Sequence, residues 1–333
     1  VVGMILSSAV AWSEDQGISQ PEIVVSASRI PGPPDDTPTS ASTISQAEIQ
    51  SLAPADVIGL LRRIPGLHID KPGGLGGVSS IYLRGAEPNY TLVLVDGMPL
   101  NDPTNSRGGS FDLSSMDLLT IERVEVLRGP QSAMYGADAI AGVINFITAG
   151  GTATPEYHLH SGLTADGGDS NGVLLQGPLE NKGDFAFGAA HVDEGERLEG
   201  SSFTNSSANA KANLQISDTD RLTLTLRASK THGTAFPDDS GGPTFAKIRA
   251  VDAREATELS TGFNYSEQIS DTWNYGVGSS LYRRRELFKS PGVAPGLRSA
   301  AGVPANSSET TFESVNLHFT SGYDWHQNLK TVV

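Results

Sequence analysis

The sequence predicts a chain of two parts: a compact α+β domain up to about residue 150, then the first strands of an antiparallel transmembrane β-barrel. Before residue 150, short apolar strands are mixed with helical periodicity and glycine-rich connectors. After residue 151, strands alternate apolar and polar side chains, as in Leu222, Leu224 and Leu226 against Thr223, Thr225 and Arg227. Links between these strands also alternate in length. Short ones fall near 179–184, 217–220, 269–272 and 322–327, and longer ones at 192–202, 230–254 and 286–308. Short turns at one rim and long loops at the other are the pattern of an outer-membrane barrel, with Trp273 and Tyr275 placed for an aromatic girdle. A secreted β-rich sandwich with polar faces outward shares the strand periodicity and is the competing reading.

In chain order, residues 1–13 read as a partial secretory signal peptide. The apolar run VVGMILSSAVA ends in a small-residue cleavage pattern, Ala9-Val10-Ala11, and is too short to span a bilayer. Neither an initiator Met nor a basic segment precedes it, so the start reads as clipped. Residues 21–30, PEIVVSASRI, form an extended segment with no local partner, suited to adding itself to another protein's sheet edge. Ser45 and Glu48 have capping-box spacing, so a helix starts there. Pro54 is read as opening a second helix, with Val57, Leu60, Leu61 and Ile64 on one face, Arg62 and Arg63 at its solvated end, and Pro65-Gly66 as its stop. Strands are expected at 67–70, 79–85 and 90–97, the last nearly all apolar and so buried on both faces. Loops 71–77 and 101–112 are polar and glycine-rich. Residues 121–148 are one tight unit: a strand at 121–127, a connector punctuated by Gly129, Pro130, Gly136 and Gly142, and a strand at 143–148.

The wording of that last unit, VLRGP, then Tyr-Gly, then AGVIN, resembles the end of the plug domain of TonB-dependent outer-membrane receptors. LRRIPG, YLRG and LVLVDG extend the resemblance from Glu22 to about residue 150, and within the family it is closest to cobalamin receptors. The resemblance implies a TonB box at 21–30, carried by Glu22, Ile23, Val24, Val25, Ser26 and Ala27, a plug at 31–150 and the N-terminal part of a barrel at 151–333. It implies ligand contacts at Val78, Ser80, Ser106 and Arg107, with the register of the loop holding the last two offset by its extra length. Arg84 and Arg128 match arginines that lock plug to barrel through acids, expected in the part of the barrel outside this sequence; the alternative is an ordinary surface ion pair for each. The implied protein is an active transporter in the outer membrane of a Gram-negative bacterium, not an enzyme. Its partners are TonB of the TonB-ExbB-ExbD complex, outer-membrane lipid and a small-molecule ligand, cobalamin first and a ferric siderophore or haem second. About eight strands are counted in the sequence. Eight enclose little beyond their own side chains, whereas plugged transporters have about 22, so the barrel is expected to be incomplete.

Composition narrows the chemistry. With 38 acidic against 23 basic residues, a net charge of −15 opposes nucleic-acid binding. The chain has no cysteine, and no apolar run reaches the ~18 residues of a membrane helix. Gly168-Asp169-Ser170-Asn171-Gly172 fits a hydrolase nucleophile motif but lies in a hairpin, without the strand and helix that motif needs. His158 and His160 share a strand face and read more simply as lumen-facing polar residues than as a metal pair. No resident cofactor is expected. Asp238, Asp239, Asp252 and Glu255 are the candidate oxygen ligands for a loop-ordering calcium ion, against the plainer reading of a solvated acidic loop.

Overall fold

The computed structural model describes residues 40–332 apart from 55, 72–76, 106–107, 110, 181, 197, 297–298 and 327–328. Its N-terminal domain runs through β1 (Ser40–Ile44), α1 (Gln46–Leu52), α2 (Val57–Leu61), β2 (Leu67–Asp70), β3 (Ser80–Leu83), β4 (Thr91–Val95), β5 (Met98–Pro99), β6 (Ile121–Arg128), α3 (Ser132–Tyr135) and β7 (Gly142–Thr148). A five-stranded sheet in the order β1-β6-β7-β4-β5 is parallel only between β4 and β7, and β2 pairs with β3 separately. Every residue of β4 and β7 is buried, as their nearly continuous apolar runs require. Gly142, at φ +152°, is where β7 passes the chain of β6. A Cβ there would lie 2.1 Å from the Leu127 carbonyl oxygen and 2.6 Å from Leu83 Cδ2.

The capping box forms as expected, with Ser45 N–H donating to Glu48 Oε2 at 2.8 Å and Glu48 N–H to Ser45 Oγ at 3.4 Å. Pro54 does not open the second helix. Asp56 caps it instead, accepting from Gly59 N–H at 2.6 Å, so α2 begins at Val57. Strand β1 was not expected; it is the edge partner of β6.

The second part is one antiparallel meander of β8 (Glu156–Leu163), β9 (Asp169–Pro178), β10 (Gly183–Asp193), β11 (Ser202–Gln215), β12 (Asp220–Ala235), β13 (Asp252–Ser270), β14 (Trp273–Ser290), β15 (Asn306–His326) and β16 (Leu329–Val332). It has nine strands where about eight were expected. The short link expected at 322–327 falls later, after His326, because β15 runs on to that residue and its last residues pair with the short β16. Elsewhere links of 179–182, 216–219 and 271–272 at one rim alternate with links of 194–201, 236–251 and 291–305 at the other.

The burial of the two faces separates the barrel from the sandwich. Leu224, Leu226, Leu259, Phe263, Leu281, Leu317 and Phe319 point outward and are exposed, while Arg227, Glu258, Ser260 and Arg284, on alternate positions of the same strands, are buried against the N-terminal domain. Apolar outside and charged inside is the inversion that lipid imposes. At the short-link rim Trp273 donates from Nε1 to Ser321 Oγ at 3.0 Å, and Tyr323 meets Trp325 edge-on at 4.7 Å, giving the expected aromatic belt.

Candidate functional site

The site is the seam between the N-terminal domain and the inner face of the strand wall. Strand alternation aims residues 227, 254, 258, 284 and 286 inward, and pairing sets Glu258 directly opposite both Ser229 and Arg284. Loop 101–112 meets this group at both its feet. Asp102 Oδ2 accepts from Arg284 Nη1 at 2.8 Å, and Asp112 Oδ2 from Arg254 Nη1 at 2.7 Å. Glu286 bridges the two arginines, with Arg254 Nε at 2.7 Å and Arg284 Nη2 also in contact. Arg227 pairs with Glu258 at 3.0 Å and donates from Nη2 to the Ser115 carbonyl at 2.7 Å.

Both aspartates are held from behind as well. Asp112 Oδ1 accepts from Ser79 Oγ at 3.0 Å, and Asp102 Oδ1 from Thr104 Oγ1 at 2.6 Å. Burial pushes the Asp112 carboxyl up, but the Arg254 guanidinium outweighs it and brings the pKa down to about 2. A charge network this deeply buried holds position strongly because removing one member strands the others, at a cost of ~3–5 kcal/mol.

Nearer the short-link rim, Lys211 Nζ reaches Asp96 Oδ1 at 2.9 Å and the Thr148 carbonyl at 3.0 Å. Asp96 is held for this by Thr148, whose N–H and hydroxyl both donate to its carboxylate. Between these anchors the wall is recessed by glycines. A Cβ on Gly262 would lie 2.6 Å from Met98 Sδ, on Gly172 2.6 Å from Leu119 Cδ2, and on Gly188 2.3 Å from Thr120 Cγ2. On the β8–β11 side the two parts separate to leave a cavity of about 550 Å³.

Residues 33–143 match the family described as TonB-dependent receptor plug domain. Residues 33–143 are thus similar to that plug domain, and the fold is a plug followed by the first antiparallel strands of a transmembrane barrel. Solved structures share this fold at low identity. The pyoverdine outer-membrane receptor FpvA of Pseudomonas aeruginosa matches with a TM-score of 0.76 at 19% identity, over 95% of this chain and 48% of its own. The siderophore receptor PirA of Acinetobacter baumannii matches at 0.64 and 21%, over 88% and 46%, and the copper transporter OprC at 0.67 and 14%, over 88% and 44%. This chain therefore spans less than half the length of these structures.

The expected site residues distribute unevenly over the plug. Glu22 to Ala27, Ser106 and Arg107 lie outside the described residues. Val78 is half-buried. Ser80, expected on a ligand-facing loop, is instead inside: it opens β3 opposite Asp70 and is 1% exposed. Arg128 donates to the Ser40 and Ser42 hydroxyls of the plug's own β1, and Arg84 is exposed on the turn after β3. Burial, then the nearby Arg84 charge, lowers the Arg128 pKa, so these two cations are neighbours. Neither pairs with an acid of the described strands; the observed lock has the opposite polarity, with plug aspartates on wall arginines and a lysine.

Ser170 lies in the regular strand β9, its Oγ 2.9 Å from His160 Nε2, with no strand-turn-helix elbow. His158 pairs with Glu156 at 3.5 Å. Of the calcium candidates, Glu255 pairs with Lys230 at 2.9 Å, Asp252 starts β13, and Asp238 and Asp239 sit in link 236–251. Among the described residues no three His, Cys, Asp or Glu gather as a metal cluster. Sequence reading missed Asp102, Asp112, Arg254 and Arg284. The available signal was a charged residue in phase with the polar face of a lipid-facing strand, as at Arg227.

Proposed function

We propose that this chain is the plug and opening strands of a TonB-dependent active transporter, which binds a scarce nutrient at the cell surface and imports it to the periplasm. The carrying observation is a plug domain clamped inside a wall whose outer face is apolar and whose inner face is charged. That arrangement suits a stopper moved by force. TonB, energised from the inner membrane, engages residues 22–27 and pulls on the plug.

The cargo is a metal chelate. A ferric siderophore is the reading favoured by the similar solved receptors for pyoverdine and other siderophores. Cobalamin is the second reading, favoured by the plug motifs LRRIPG, YLRG and LVLVDG.

The test is uptake of labelled ferric siderophores and labelled cobalamin by cells that lack their own receptors and express the full-length reading frame, with and without TonB. Uptake of one of them should require TonB. Val25→Pro should abolish it and leave surface binding intact, because proline removes a backbone donor from the added strand. Uptake indifferent to both TonB and Val25→Pro would overturn the transporter, and recovery of a soluble secreted product would favour the β-rich binding protein.

A further inference from the structure

Among the nine described strands the plug is not held evenly. All the buried wall arginines that reach it stand on β12, β13 and β14, and Tyr282 of β14 packs into the plug's apolar core. On the β8–β11 side lies the cavity of about 550 Å³, within the roughly 300–1,000 Å³ range of small-molecule sites. Its plug side is apolar, with Ile58, Met116 and Leu118, and its upper end lies at the long-link ends of the strands, beside Asp193 and Glu194.

Two plug residues close its lower end. Leu119 seats on Gly172 and Thr120 on Gly188. Below Thr120 the seam continues into a small void of about 10 Å³, lined by Ala186, Thr148 and Lys211. The cavity, the two seated residues and the void are in line along the wall.

We propose that this cavity is the compartment through which cargo passes the plug, that Leu119 and Thr120 on their glycine seats are its closed gate, and that it admits neutral or cationic molecules ahead of anions. This rests on the transporter reading above. Charge preference follows from the lining, where Asp117, Asp169, Asp193 and Glu194 outnumber Lys71 and His160. Asp117 stands next to the gate with Oδ2 lacking any hydrogen-bond partner, and burial holds its carboxyl above the ordinary value. A donor on a passing cargo would satisfy that oxygen. A pull on the plug pivots it about the arginine side, breaks the Lys211 contacts to Asp96 and the Thr148 carbonyl, and lifts Leu119 and Thr120 off seats that hold them by contact and by one hydrogen bond, Asn209 Nδ2 to Thr120 Oγ1.

Because the chain has no cysteine, single thiols report access directly. In the full-length receptor in cells, Ala190→Cys samples the cavity above the gate, Ala186→Cys the void below it, and Ser280→Cys the clamped side. Small cationic and anionic methanethiosulfonates are added from outside, with and without TonB, and heat-modifiable migration confirms folding of each variant. Ala190→Cys should react at rest, about tenfold faster with the cation. Ala186→Cys should react only with TonB, and Ser280→Cys not at all.

TonB-dependent reaction at Ser280→Cys instead of Ala186→Cys would overturn the inference and leave the transporter standing. Protection of Ala190→Cys that is relieved by deleting residues 14–39, with the leader kept, would overturn it too, by giving the cavity to the chain's own N-terminus. Identical labelling of all three thiols with and without TonB would remove the transporter reading itself, and the gate with it.

Discussion

Asp112 joins two structures through one carboxylate, with one oxygen fixed by Ser79 within the plug and the other by Arg254 of the wall. Its native pKa of about 2 lies below the ordinary aspartate value of 3.8, so this contact favours the docked plug at any pH above that ordinary value. The stabilisation is lost as pH falls through about 2, when the native carboxylate takes up its proton. Hydrogen exchange of residues 112–115 in the detergent-solubilised full-length receptor should therefore accelerate as pH falls from about 4 to about 2, after correction for intrinsic rates. Asp112→Asn should exchange fast throughout, with no acid transition left in that segment. An unchanged acid transition in this variant would assign the pH response to another group. The glycine seats are the opposite kind of contact, specified by the absence of a side chain, and nothing in a sequence marks Gly188 as the seat of Thr120 rather than one more small residue in a strand.

Strands carry the part of this fold that is most legible. Alternation at Leu222, Leu224 and Leu226 places them outward and Arg227 inward because side chains along a strand point alternately to its two faces, and the structure has them so. Leu226→Arg should accordingly cost the assembled barrel ~2–4 kcal/mol if it sits near the bilayer midplane, whereas Thr225→Ser on the inner face should cost little. Folding titrations into lipid vesicles would read the difference, and equal costs for the two would refute the assigned faces. Strand β1 was not legible because SASTI offers one large apolar residue and becomes a strand only by lying along β6. The charge lock was hidden for a different reason. Its partners are 142 residues apart for Asp112 and Arg254 and 182 for Asp102 and Arg284, and no local pattern encodes such a pairing. Family resemblance pointed to Arg84 and Arg128 with acids in the part of the barrel outside this sequence, whereas the contacts made by the described strands use plug acids.

At the scale of the whole molecule, the transporter proposed above needs a stopper that resists leaking and yet yields to a pull. Buried ion pairs suit the first task, since each is costly to break singly; the arginine pairs stand on β12–β14, which leaves the Lys211–Asp96 pair of β11 as the described ion pair to yield on the opposite seam. Replacing Arg254 and Arg284 together by alanine leaves Asp102, Asp112 and Glu286 as uncompensated acids in the lumen, while Glu258 keeps Arg227. Those acids would draw in water and loosen the plug where it is now fixed. Cells carrying the full-length double variant should become sensitive to large polar antibiotics that the outer membrane normally excludes, with receptor levels unchanged. Asp102→Asn combined with Asp112→Asn breaks the same contacts from the plug side, leaving Arg254 and Arg284 still paired with Glu286, and should leak less than the double alanine variant. Equal exclusion of antibiotic by wild type and both variants would mean that the network aligns the plug without sealing it, and the seal would then lie with Lys211, Asp96 and the glycine seats nearer the other rim.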